Sequence, residues 1–113
     1  MLKKDEFIRR CTLDRVVDGD TVDVVLDLGF SISYKERLRL RDIDCPEMRG
    51  IERERGKEAK QAVIDWCEKA EEIWCHSYKY TRGKYGRVIA DLFDENGGSL
   101  VATLKVLGHD KHG

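Results

Sequence analysis

Thr21-Val22-Asp23-Val24-Val25-Leu26-Asp27-Leu28 is the stretch whose pattern decides the fold. Val22, Val24, Leu26 and Leu28 share one face and Asp23 and Asp27 the other, the period of two expected of a half-buried strand. Upstream, Asp18-Gly19-Asp20 is a turn signal, and Ile8 to Val17 reads as a first strand with imperfect alternation. Downstream, Gly29 marks a bend or bulge, and Phe30 to Leu40 resumes as a third strand. There Leu38 and Leu40 face one way while Arg37, Arg39 and Arg41 face the other, a basic stripe along a strand.

Farther along, the period becomes helical. From Glu52 to Glu72, Ala59, Ala62, Val63, Trp66, Cys67, Ala70 and Ile73 recur at intervals of three and four. Gly56 places the start of the regular helix near or after itself. Ile73 to Tyr80 and Arg87 to Phe93 read as two more strands, with Trp66 and Trp74 expected in the core. Asn96-Gly97-Gly98 is a turn, Ser99 an N-cap, and Leu100 to Leu107 a short helix stopped at Gly108. Three strands, a helix, two strands and a short helix suggest a mainly β chain with α elements (α+β). The expected form is a small five-stranded barrel of the oligonucleotide/oligosaccharide-binding (OB) kind.

The chain has 113 residues, which fits a single domain spanning 1–113 whose last few residues are expected to form a mobile tail. Its hydrophobic fraction of 41% is too high for a disordered chain, and no apolar run is long enough to cross a bilayer. The opening residues lack a secretory signal, so a cytoplasmic location is the expectation. Twenty-one basic side chains against 22 acidic leave a net charge of −1, so capture of a polyanion would rest on local clusters. The spacing of Cys11, Cys45, Cys67 and Cys75 excludes paired zinc ligands, and reduced thiols in small core positions are expected.

Acids and arginines concentrate in three segments: Asp18-Gly19-Asp20-Thr21, Arg39 through Glu47, and Lys84-Tyr85-Gly86-Arg87. In a strand meander the ends carrying Asp20 and Asp44 can meet, and clustered carboxylates repel unless a proton or cation intervenes. Oxygen ligands suit a hard divalent ion such as calcium or magnesium. Arginines beside it supply flat forks that match phosphate oxygens. A cation, two guanidiniums and a spare carboxylate together describe a site for phosphodiester hydrolysis.

At these segments the chain resembles the staphylococcal-nuclease (thermonuclease-like) family. The matching stretches are Val17-Asp18-Gly19-Asp20-Thr21-Val22, Arg39-Leu40 leading into Ile43-Asp44-Cys45-Pro46-Glu47, and Tyr85-Gly86-Arg87-Val88-Ile89-Ala90, with a looser match over Leu104 to Gly108. The resemblance implies an SNase-like OB-fold barrel and a Ca2+-dependent nuclease. That activity would cleave single-stranded or frayed DNA or RNA at the 5′-oxygen–phosphorus bond, leaving 3′-phosphates. It implies that Asp20, Asp44 and the backbone carbonyl of Cys45 bind calcium, supported by Asp18 and Thr21. Glu47 would be the general base or orient the water, Arg39 and Arg87 would grip the scissile phosphate, and Lys84 and Tyr85 would contact the substrate. The family's aromatic residue and last helix beyond Gly108 have no counterpart here, so the expectation is either a fragment or a partner, such as a second copy of the chain, covering that surface. The segment joining strands two and three is longer than in the type member, which is expected to lengthen a hairpin near the site. An alternative reading keeps the barrel as a nucleic-acid-binding module with weak or absent turnover. A third treats the acids and arginines as surface ion pairs of a structural or interaction domain.

Overall fold

In the computed structural model, residues 7–77 and 88–112 are described. The alternating stretch forms β2 (Thr21–Gly29), which pairs antiparallel with β1 (Phe7–Asp18) on one side and β3 (Ile32–Leu40) on the other. β4 (Ile73–Ser77) and β5 (Val88–Asp94) pair antiparallel, and β4 also pairs with β1. A parallel seam of three residue pairs, Leu38–Leu40 against Val88–Ala90, joins β3 to β5. The result is a closed barrel in the order β1-β2-β3-β5-β4, consistent with an OB-like α+β architecture.

The period of two becomes the barrel interior. Val22, Val24, Leu38, Leu40, Cys75, Ala90 and Leu92 all point inward and are buried. Truncating a side chain such as Leu38 would remove its transfer energy and leave a cavity, at a typical cost of about 2–5 kcal/mol. The imperfect alternation of β1 has a physical origin. Its register with β2 shifts between Leu13 and Arg15 and again between Val16 and Asp18, the signature of bulges. Each bulge inserts a residue and resets which side chain faces inward.

Leu28 departs from the face assigned to it by alternation. The β2–β3 hairpin runs past the end of the barrel, so Leu28 is exposed, as are Ile32 and Tyr34. Its tip turns at Phe30 and Ser31, both at positive φ (53° and 63°), the arrangement of a tight two-residue hairpin loop. Phe30 is 98% exposed there. The long hairpin was expected near the acid–arginine site, yet its tip lies at the opposite end of β2 and β3 from Thr21 and Arg39. At about 3.4 Å per residue, the two ends stand roughly 27 Å apart.

A 3-10 turn (Gly50–Glu52) leads directly into helix α1 (Arg53–Lys69). The helix therefore starts three residues before Gly56, near it rather than after it. Its apolar stripe, including Ala59, Val63 and Cys67, closes over the barrel together with α2 (Leu100–Val106). Ser99 caps α2 as expected, its side chain accepting from Ala102 N. The buried Asp91 carboxylate accepts from Leu92 N, Val101 N and Ser99 Oγ, fastening the first turn of α2 to β5.

Trp66 packs against the core, whereas Trp74 sits half-buried on the outer face of β4, opposite Phe93. All four cysteines are buried free thiols. Burial pushes Cys11, Cys45 and Cys75 up to about 12 and Cys67 up to about 11, so each stays protonated and behaves as a small apolar filler. The last two strands are described only as far as Ser77 and from Val88. Among the described residues, no helix is long and apolar enough to cross a membrane.

Candidate functional site

The site gathers where the turn between β1 and β2 meets the chain leaving β3. Asp20 occupies that turn, and Thr21, one residue on, is the ladder partner of Arg39. Leu40 N donates to Asp20 O at 2.8 Å, tying the end of β3 to the turn. Asp18 Oδ1 accepts from Asp20 N at 3.2 Å, the local Asx geometry that an Asp-Gly-Asp turn favours. The turn thus fixes Asp20 from both sides.

The Asp20 carboxylate is buried and fully engaged. Its Oδ2 accepts from Cys45 N at 3.0 Å and its Oδ1 from Thr21 Oγ1 at 3.2 Å. Arg39 Nη2 lies 3.5 Å from Asp20 Oδ2 and 3.8 Å from Asp44 Oδ1, while Nη1 donates to Leu40 O at 2.7 Å. One guanidinium therefore serves two carboxylates from different parts of the chain. Burial pushes the Asp20 carboxyl above its ordinary range, and the Asp18 carboxyl beside it acts in the same direction. The Cys45 amide and the Arg39 charge pull the other way without cancelling the rise.

Two glycines allow the elements to close on this point. A Cβ on Gly19 would lie 2.7 Å from Ala59 Cβ and 2.9 Å from Cys45 Cβ. A Cβ on Gly56 would overlap the Glu47 carbonyl oxygen and stand 3.0 Å from Met48 N. The turn, the 44–48 loop and α1 are in contact because neither position carries a side chain. Pro46, also fully buried, pins the same loop.

Glu47 follows on that loop, but its carboxylate faces solvent. The side chain is 60% exposed, with Oε2 3.5 Å from Arg49 Nε, while the Glu47 amide donates to Glu52 Oε2 at 2.9 Å. An open cleft of about 470 Å³ lies beside it, lined by Glu47, Arg49, Gly50, Ile51, Glu52 and Lys111. Asp18, Asp20, Thr21, Arg39, Asp44 and Cys45 thus come together, with Glu47 on the adjoining rim. Lys84, Tyr85 and Arg87, assigned to substrate and phosphate, lie outside the described residues. The basic stripe does not survive as a unit. Arg37 makes a two-pronged pair with Asp23 at 2.7 and 3.0 Å, holding that carboxyl below its usual range, and Arg41 pairs with Asp42.

Residues beyond α2, expected as a tail outside the packed domain, reach the site as well. Lys111 N donates to Asp44 O at 2.8 Å, Asp44 N donates to Asp110 Oδ1 at 3.3 Å, and His112 Nε2 sits 3.0 Å from Asp44 Oδ2. Glu52, Asp110, Lys111 and His112 carry no periodicity or motif that would have singled them out. Only the fold brings them beside Asp44.

Among the described residues, no group of three or more His, Cys, Asp and Glu side chains converges closely enough to hold a metal ion. What does converge is a pair of carboxylates, Asp20 and Asp44, sharing one positive group. Two carboxylates with a single guanidinium between them are hard oxygen donors that fit a divalent oxygen-seeking cation in chemical class. Calcium takes six to eight oxygens, so a backbone carbonyl, water and substrate oxygens would have to complete the shell. No protein-family model matches the chain, and neither does any curated protein.

Proposed function

We propose that the chain is a calcium-dependent phosphodiesterase of the staphylococcal-nuclease type, acting on single-stranded or frayed DNA or RNA. One observation carries this reading: Asp20 and Asp44, 24 positions apart in sequence, meet on the guanidinium of Arg39 at the end of an OB-like barrel. Asp20, Asp44 and the Cys45 carbonyl would hold the ion, which supplies charge neutralisation at the phosphate oxygens when bound. Arg39, relieved of its part in balancing the two carboxylates, presents its fork to the non-bridging oxygens of the scissile phosphate. Arg87, which the resemblance assigns to the same phosphate, would share that role. Glu47 accepts a proton as water oxygen bonds to phosphorus. The bond from phosphorus to the 5′-oxygen breaks, and that oxygen leaves as an alcohol after taking up a proton. The products are a 3′-phosphate and a free 5′-hydroxyl.

Denatured DNA incubated with the protein should be cut with calcium present and left whole with chelator, the new ends carrying 3′-phosphate. Intact DNA in both conditions overturns the reading. The solvent-facing carboxylate of Glu47, turned onto Arg49, favours a second reading in which the barrel binds nucleic acid without turnover. That reading expects retention of single strands with no new ends, and no effect of Glu47→Ala.

A calorimetric test separates both from a purely structural domain. A cation bound only by the native state should raise the melting temperature by roughly 10 °C at a hundredfold excess over Kd. The effect carries a pH signature. Because burial and Asp18 raise the Asp20 carboxyl, protons compete with the cation there, and the calcium-induced rise should shrink as pH falls through that raised value. A melting temperature indifferent to calcium at every pH would sink the metal site.

A further inference from the structure

We infer that Glu52 and Lys111 are positioning residues that fix the backbone of Glu47, and so determine where the proposed general base points. The inference rests on the phosphodiesterase reading and names residues that reading does not use. Glu47 lies on a loop without regular structure, and its side chain has no buried packing to orient it. Its carboxylate touches Arg49, and the point from which it swings is set by its main chain. Glu52 Oε2 accepts from the Glu47 amide at 2.9 Å. Lys111 Nζ lies 3.3 Å from Glu52 Oε1 and 3.4 Å from Oε2, so the ammonium spans both carboxylate oxygens. The same Lys111 donates its own amide to Asp44 O at 2.8 Å. One residue thus grips the proposed metal-ligand end of the loop directly and its base end through Glu52.

The grip is mechanically anchored. Lys111 follows α2, and His109 N donates to Leu104 O at 2.9 Å, continuing the hydrogen bonding of that helix. Leu100, Val101 and Leu104 bury α2 in the core. On the other side, Gly56 lets α1 touch the Glu47 carbonyl. The Glu47 peptide is held at its N–H by Glu52 and backed at its C=O by the helix. Glu52 and Lys111 side chains are each only about a third exposed (31% and 28%), which limits competition from water for their pairing. Residues that orient a reacting group through its backbone are commonly worth about 10–100-fold in activity.

The test compares wild type, Glu52→Ala, Lys111→Met and Lys111→Arg in the full chain. It reads kcat and KM on denatured DNA with calcium, and the hydrogen-exchange rate of the Glu47 amide by NMR. Positioning predicts about a tenfold or greater fall in kcat for Glu52→Ala and Lys111→Met, with KM changed less than about twofold. The Glu47 amide should exchange faster in both, and Lys111→Arg should keep most of the wild-type kcat. A structural role alone would lower melting temperature and leave kcat at permissive temperature unchanged, which overturns the inference. So would equal losses in Lys111→Met and Lys111→Arg, or a loss confined to KM. If wild type itself fails to cleave, the phosphodiesterase reading fails and takes the inference with it. If wild type cleaves and the variants match it, only the positioning role falls.

Discussion

Arg39→Met should reduce calcium-dependent cleavage by about a hundred- to a thousandfold, the scale seen when one donor to a transition-state oxyanion is removed. The same change leaves the buried Asp20 carboxylate and Asp44 facing each other without the guanidinium that lies 3.5 and 3.8 Å from them. Breaking a well-buried pair costs about 3–5 kcal/mol. Here Asp44 is partly exposed, with 42% of its side chain open, so a loss of about 1–2 kcal/mol in the absence of calcium is expected. Removing the Arg39 charge also drives the Asp20 carboxyl higher still, because one of the two influences that lower it is gone.

The sign follows from linkage. A carboxyl whose folded value lies above its unfolded one loses stability as pH rises between the two. Arg39→Met should therefore be less destabilising at acid pH than at neutral pH, and calcium should rescue its melting temperature more than that of wild type. Arg39→Lys separates the two duties of the residue. It keeps the charge and most of the stability, but loses the planar fork and most of the rate. Thermal unfolding with and without calcium, run beside initial rates, checks all three statements. Wild-type rates in Arg39→Met would remove Arg39 from the chemistry.

Gly56→Ala is expected to destabilise the protein and slow cleavage by about a hundredfold, against the usual trend. In an ordinary exposed helix the change to alanine gains up to about 1 kcal/mol. At Gly56 the new methyl would overlap the Glu47 carbonyl and crowd Met48 N, both of them backbone atoms that cannot swing aside. Relief requires the 44–48 loop and α1 to move apart, and overpacking of this kind costs about 1–3 kcal/mol. A loop displaced on the order of 1 Å also misaims Glu47, a shift capable of a hundredfold loss in rate. Lys60→Ala, four residues past Gly56 at a partly exposed position of the same helix, offers a control for general effects on α1. A more stable and fully active Gly56→Ala would show that the close approach has no consequence.

The barrel was readable because alternation is a short-range property. Val22, Val24 and Leu26 announce their shared face within a few residues, and the change of period after Glu52 announces a helix. What alternation cannot report is whether anything packs against a face. Leu28 obeys the pattern and is still exposed, because the hairpin outruns the barrel. Gly56 shows a related limit. A glycine in a helical pattern looks like a break, and only tertiary contact reveals it as a point where two backbones touch. Trp74 likewise sits in an apolar run yet faces outward, opposite Phe93.

The site divides in the same way. A strand meander already allows Asp20 and Asp44 to meet, the motif resemblance singles out Arg39 beside them, and the strand register supplies the mechanism by pairing Thr21 with Arg39. The partners of the 44–48 loop, Glu52, Asp110, Lys111 and His112, have no common spacing. They lie up to 68 positions from the residues they touch, and nothing local selects them.

Among the described residues, the three-pair seam between β3 and β5 is the shortest pairing in the barrel wall. Arg39 sits in that join, with Ile89 as its ladder partner, and Arg41 N reaches across it to Ala90 O at 3.0 Å. Thermal breathing at this seam would loosen the strand end that carries Arg39. Heat would then silence the molecule before it melts it.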